Sequence, residues 1–180
     1  MTMTTTKKTT TRKLPNPSKK TTTRKPRTPK PIVKLPPNPF IHEILELVSE
    51  QRTKAKKVEF LKEYRDDALT AILIWNFDES VISAIPEGQV PYKENEVPVG
   101  TDHTSLRREW KQLYHFIQGG NNELSNLRRE SMFIQMLEGL HPKEAEIICL
   151  VKDKRLTDVY KVTQQQVAEA FPDIEWGNRS

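Results

Sequence analysis

The chain has 180 residues, 29 of them Lys or Arg and 24 Asp or Glu, for a formal net charge of +5 at pH 7. Residues 1–39 hold eight Lys, three Arg and no acid, so residues 40–180 carry 18 basic and 24 acidic side chains: an arm of +11 joined to a body of −6. About 40% of the body is hydrophobic, an ordinary globular share, which excludes a collagenous, coiled-coil or wholly disordered chain.

Eleven Thr, eight Pro and eleven cations fill the arm. With so little apolar surface it cannot offset chain entropy, and it is expected to be disordered. Lys7-Lys8-Thr9-Thr10-Thr11-Arg12-Lys13 recurs unchanged as Lys19-Lys20-Thr21-Thr22-Thr23-Arg24-Lys25. The copies contain nothing to pack, so the repeat reads as duplicated charge. Phosphate backbones are its natural counterpart, because each Lys or Arg contact releases a condensed counterion without needing a fold. Lys7, Lys8, Arg12, Lys13, Lys19, Lys20, Arg24, Lys25, Arg27 and Lys30 are the candidate contacts to nucleic acid. Prolines keep the charges extended, and Thr hydroxyls add sequence-blind phosphate hydrogen bonds. No aromatic residue precedes Phe40, so base stacking is not expected from the arm. The composition also suits a solubilising tail, a tether to the acidic body, or a polyproline ligand at Pro36-Pro37-Asn38-Pro39. Prolines argue against the amphipathic helix of an organelle transit peptide, and no apolar segment follows the basic start as a secretory signal requires.

Helical spacing dominates the body. Pro39 stands where a first turn tolerates proline, and Phe40, Ile41, Ile44, Leu45, Leu47 and Val48 form an apolar stripe. Thr53 is a cap for a second helix carrying Val58, Phe60, Leu61 and Tyr64; Asp66 or Asp67 caps a third with Leu69, Ile72, Leu73, Trp75 and Phe77. Ile72–Trp75 also fits a buried strand, but the cap and the preceding Ala68-Leu69-Thr70-Ala71 favour helix. Pro86, Gly88, Pro91, Pro98 and Gly100 break the pattern over 86–103, a long irregular loop. A fourth helix is expected over 104–118, burying Leu106, Trp110, Leu113, Tyr114 and Ile117, and Gly119-Gly120 ends it. Asn121 or Asn122 would cap a fifth running to Gly139, with Leu124, Leu127, Phe133, Ile134, Met136 and Leu137. His141-Pro142 opens a sixth, with Glu144 and Glu146 placed where the dipole favours anions. Thr163-x-x-Gln166 is a capping-box pattern for a last helix ending at Phe171-Pro172. The expected fold is all-α: about seven helices in one domain, residues 40–180, behind the basic arm.

Chemical signatures are sparse. Cys149 is the single cysteine and lies in an apolar stretch, so no intrachain disulfide or Cys-based metal site can form. The longest apolar run, Ala71–Trp75, is far short of the ~20 residues that span a bilayer, so no membrane is expected. Asp102-His103 could pair as acid and base, but no nucleophile accompanies them. His42-Glu43, His141, Glu144 and Glu146 are ligand types without a metal-binding spacing. No catalytic residue, cofactor or metal is assigned. Two patterns in the body suggest partner contacts. Leu106-Arg107-Arg108-Glu109 recurs as Leu127-Arg128-Arg129-Glu130, and the four arginines read either as solvated faces or as contacts to a partner. Loop residue Tyr92, with Val90, Val97 and Val99, either packs back onto the helices or offers an exposed apolar surface.

Several motifs carry a family resemblance. They are Ile85-Pro86-Glu87-Gly88 with Pro91-Tyr92, Phe116-x-x-Gly119-Gly120, Arg128-Arg129-Glu130-x-x-Phe133-Ile134-Gln135-x-Leu137-Glu138, His141-Pro142, Glu144-Ala145-Glu146, Val151-Lys152-Asp153-Lys154 and Glu169-Ala170-Phe171-Pro172. Through them the body resembles an uncharacterised family of proteins from marine tailed phages, particularly the contractile-tailed phages of cyanobacteria. The resemblance implies a phage origin and a bacterial host cytoplasm, and brings no activity, cofactor or partner. Together with the arm it points to a non-enzymatic accessory protein that holds nucleic acid non-specifically and engages a phage or host protein. The alternative is a minor virion component whose arm touches packaged DNA.

Overall fold

The apolar spacing that begins at Phe40 becomes α1, Ile41–Glu50, which buries Ile41, Ile44, Leu45, Leu47 and Val48. The computed structural model describes residues 34–98 and 104–179; the expectations about residues 1–33 and about Asp102-His103 lie outside the described residues. The helical unit begins at Lys34, and Leu35 packs against its core. The body therefore starts a few residues before Phe40, where the composition changes.

α2 spans Lys54–Glu63 and α3 Asp67–Phe77. Thr53 Oγ1 accepts from Lys56 N, and Asp66 Oδ1 accepts from Ala68 N, so both caps act as the side-chain chemistry requires. α3 is apolar nearly all round, as suits a helix with neighbours on several sides. It buries Ala68, Leu69, Ile72, Leu73 and Trp75, and packs on α4, on the 3-10 helix that follows α4, and on α6. Ile72–Trp75 is helix, not strand.

The fourth expected helix takes a different form. Leu106–Glu109 makes one turn of α4, and Trp110–Phe116 continues as a 3-10 helix. Its exit is fixed by a short antiparallel bridge: Ala84 N donates to Phe116 O at 2.7 Å and Gln118 N to Ile82 O at 2.9 Å. A 3-10 segment rises faster per residue than an α-helix and places positions three apart on one face. Leu113 and Phe116 are accordingly buried, while Tyr114 is 50% exposed and Trp110 and Ile117 are half-buried. At the exit, Gly119 takes φ +81°, and a Cβ on Gly120 would lie 2.0 Å from Tyr114 O.

α5 begins later than expected, at Asn126–Gly139, with Ser125 as its cap. Asn121 instead closes a turn by accepting from Glu123 N. Leu124 precedes the helix, and Leu127 is 78% exposed, contrary to its expected core position. α6 is Pro142–Lys152, α7 Leu156–Tyr160 and α8 Gln164–Ala170. The short α7 was not anticipated. α2 packs on α8, and α1 packs on α2, α6 and α7. Eight α-helices and one 3-10 helix, with no strand longer than an isolated bridge, make the described residues all-α. No helix among them is long and apolar enough to cross a membrane.

Candidate functional site

Charged side chains inside the body decide what its surface has left to offer. Glu144 is fully buried in the first turn of α6. Oε1 accepts from Ile41 N and Oε2 from Leu106 N, each at 3.0 Å, so one carboxylate fastens the starts of α1 and α4 to α6. Burial raises its pKa above the usual carboxylate value, against the two amide bonds that lower it. Lys152 is 2% exposed and donates to Pro86 O, Gly88 O and Asp153 Oδ1. Two of the motifs noted in the sequence, Ile85–Gly88 and Val151–Lys154, thus meet in space. Asp78, another buried carboxylate, accepts from Ser80 and Gly177 amides, Ser80 Oγ and Arg179 Nη1, which lower its pKa against its burial and fasten the C-terminal segment.

The repeated tetrapeptides divide unequally. Arg107 Nε donates to Pro39 O at 3.0 Å, and Nη1 pairs with Asp66 Oδ2 at 2.5 Å. Arg129 is 8% exposed; its guanidinium reaches His115 O, Asn121 O, Leu124 O and Asn126 Oδ1. Arg108 and Arg128 are exposed. Two of the four arginines are thus engaged by the fold and two are left at the surface. Tyr92 is half-buried against the core, as is Val90, and Lys93 N donates to Glu138 Oε1 at 3.2 Å. Burial pushes the Tyr92 phenol up to about 12. Val97 is 39% exposed, and Val99 lies outside the described residues. Residues 86–93 are therefore held against α5 and α6, with Val90 and Tyr92 half-buried there.

Two further features bear on chemistry. A surface groove of about 470 Å³ runs between α1, α6 and the end of α7, lined by Glu46, Glu50, Lys143, Glu146, Val159 and Lys161 among others. Lys143 bridges it to Glu46 at 2.7 Å. His42 and His141 stack with centroids 4.8 Å apart. Among the described residues, no three His, Cys, Asp or Glu side chains converge in a metal-holding group. Cys149 is half-buried, and burial pushes its thiol up to about 11, which keeps it protonated at neutral pH. The ten arm residues proposed to touch nucleic acid, Lys7 to Lys30, lie outside the described residues.

The model of a family of unknown function (DUF6433) matches residues 44–158, more than half of the chain. The chain belongs to DUF6433. The span shared with DUF6433 runs from within α1 into α7 and includes Glu144, Lys152 and both arginine pairs. The basic arm and α8 fall outside it. No curated protein and no solved structure matches the chain.

Proposed function

We propose that this protein is a non-enzymatic phage accessory protein, acting in the host cytoplasm, whose basic arm holds nucleic acid without regard to sequence while the helical body engages a phage or host protein. The observation that carries the reading is the separation of charge. The arm holds eleven cations and no acid, whereas the body is net negative and engages Lys57, Arg107, Arg129, Lys152 and Lys154 in internal bonds. A polyanion meets attraction from the first region and net repulsion from the second. The resemblance to cyanobacterial phage proteins supports the provenance. The exposed side chains of Ile82, Tyr114, Leu127, Arg108 and Arg128 are the body's candidate partner contacts.

The test is binding of labelled duplex DNA and single-stranded RNA of arbitrary sequence across a salt series. With roughly six to eight phosphates neutralised, log K on duplex DNA should fall against log salt with a slope of about −5 to −7. Changing Lys19, Lys20, Arg24 and Lys25 to Gln should flatten that slope by about 3 to 4. Mass spectrometry of purified particles separates the intracellular role from the virion alternative: presence at fixed stoichiometry would move the protein into the virion.

A further inference from the structure

Three rings meet where two helices begin. Phe40 is the N-cap residue of α1 and His141 that of α6. His42 stacks on His141 with planes 11° from parallel, and on Phe40 with centroids 5.5 Å apart. Phe40 and His141 are themselves 5.6 Å apart. His42 is 6% exposed, and its Nδ1 has no hydrogen-bond partner. His141 Nδ1 accepts from Lys143 N at 3.2 Å, the bond that caps α6. Beside this stack, Glu144 holds the Ile41 and Leu106 amides.

A proton on His42 disturbs this cluster. An imidazolium at His42 is a charge enclosed without an acceptor at Nδ1. The charged groups facing His42 are Glu43 and Glu46 on its own helix, and His141 and Lys143 on α6. The two carboxylates favour the imidazolium; burial, His141 and Lys143 oppose it. Burial is the largest effect, and His42 is lowered to about 4. Glu144, shielded by the same packing and facing Glu43 and Arg107, is raised, so the closed form takes up its proton more readily than the open one and acid acts through Glu144 in favour of closure, against His42.

We propose that His42, in its stack on His141, is an acid-sensitive latch: proton uptake by this ring parts the first turn of α1 from the start of α6 and frees the Ile41 and Leu106 amides, while α3 stays closed. The sign follows from proton counting. The closed form excludes a proton from His42 that the open form binds between about pH 6.5 and 4, so closure weakens as pH falls through that window.

Native-state amide exchange of the full chain, expressed as protection against unstructured-chain rates, tests this. From pH 7 to pH 5, protection at Ile41 and Leu106 should drop, by at most the roughly twentyfold that His42 alone supplies since Glu144 opposes it, with Ile72 and Leu73 in α3 unchanged. His42→Phe keeps the ring stack without the proton and should remove most of that drop. Three results would overturn the latch: no drop at Ile41, an equal drop in α3, or the full drop persisting in His42→Phe, which would assign it to another group. Should His42→Phe fail to fold, the ring-proton titration of His42 in the unaltered chain decides. A midpoint near 4 supports the latch and one near 6.5 overturns it.

Discussion

Leu106-Arg107-Arg108-Glu109 and Leu127-Arg128-Arg129-Glu130 are the same four residues in two settings, and the fold treats them as opposites. Leu106 is fully buried and Leu127 is 78% exposed. In the first copy the leading arginine is bonded inside; in the second it is the trailing one. The phase differs because Leu106 starts a one-turn helix whose amide is held by Glu144, whereas Leu127 lies in the first turn of a long helix that presents Arg129 to the preceding turn. The comparison teaches that a cation in this body is functional surface only when no carbonyl or carboxylate of the fold claims it.

Substitutions in the two copies should differ in their cost, read by urea denaturation. Arg129→Ala strips the hydrogen-bond donors from three backbone carbonyls and should cost about 3 kcal/mol or more, the largest effect in the set. Leu106→Ala should cost about 3 kcal/mol through a core cavity. Lys152→Ala should cost about 2 kcal/mol by releasing the Pro86 and Gly88 carbonyls, and tryptic cleavage at Lys93 should quicken as the segment lifts from α6. Arg107→Ala should cost about 1 kcal/mol, since its pair with Asp66 is partly exposed. Leu127→Ala, Arg108→Ala and Arg128→Ala should each change stability by less than about 0.5 kcal/mol. Equal costs for Leu106→Ala and Leu127→Ala would dissolve the distinction between the two copies.

Local chemistry was readable in the sequence wherever a cap and a stripe agreed. Thr53, Asp66 and Pro142 mark helix starts that the structure keeps, and Thr163 with Gln166 does the same for α8. What escaped depended on distant partners. The 3-10 helix follows from tethering Phe116 and Gln118 to residues 82–84, more than thirty positions earlier. The late start of α5 follows from Arg129 drawing carbonyls out of residues 115–124. Glu144 reads as an ordinary first-turn acid until Ile41 and Leu106 arrive from elsewhere in the chain. The packing of Tyr92 depends on Lys152 and Glu138 in the same way. The arm, by contrast, states its charge in composition alone.

Whether nucleic acid is held by the arm and not by the body is decided by comparing the full chain with a chain lacking residues 1–33 on labelled duplex DNA. The cut leaves Leu35 in place, so the core keeps its contact. The full chain should bind at about 50 mM salt with the steep salt slope given above, and the shortened chain should show no measurable binding. Equal affinity of the two would contradict the account and place the reader on the body.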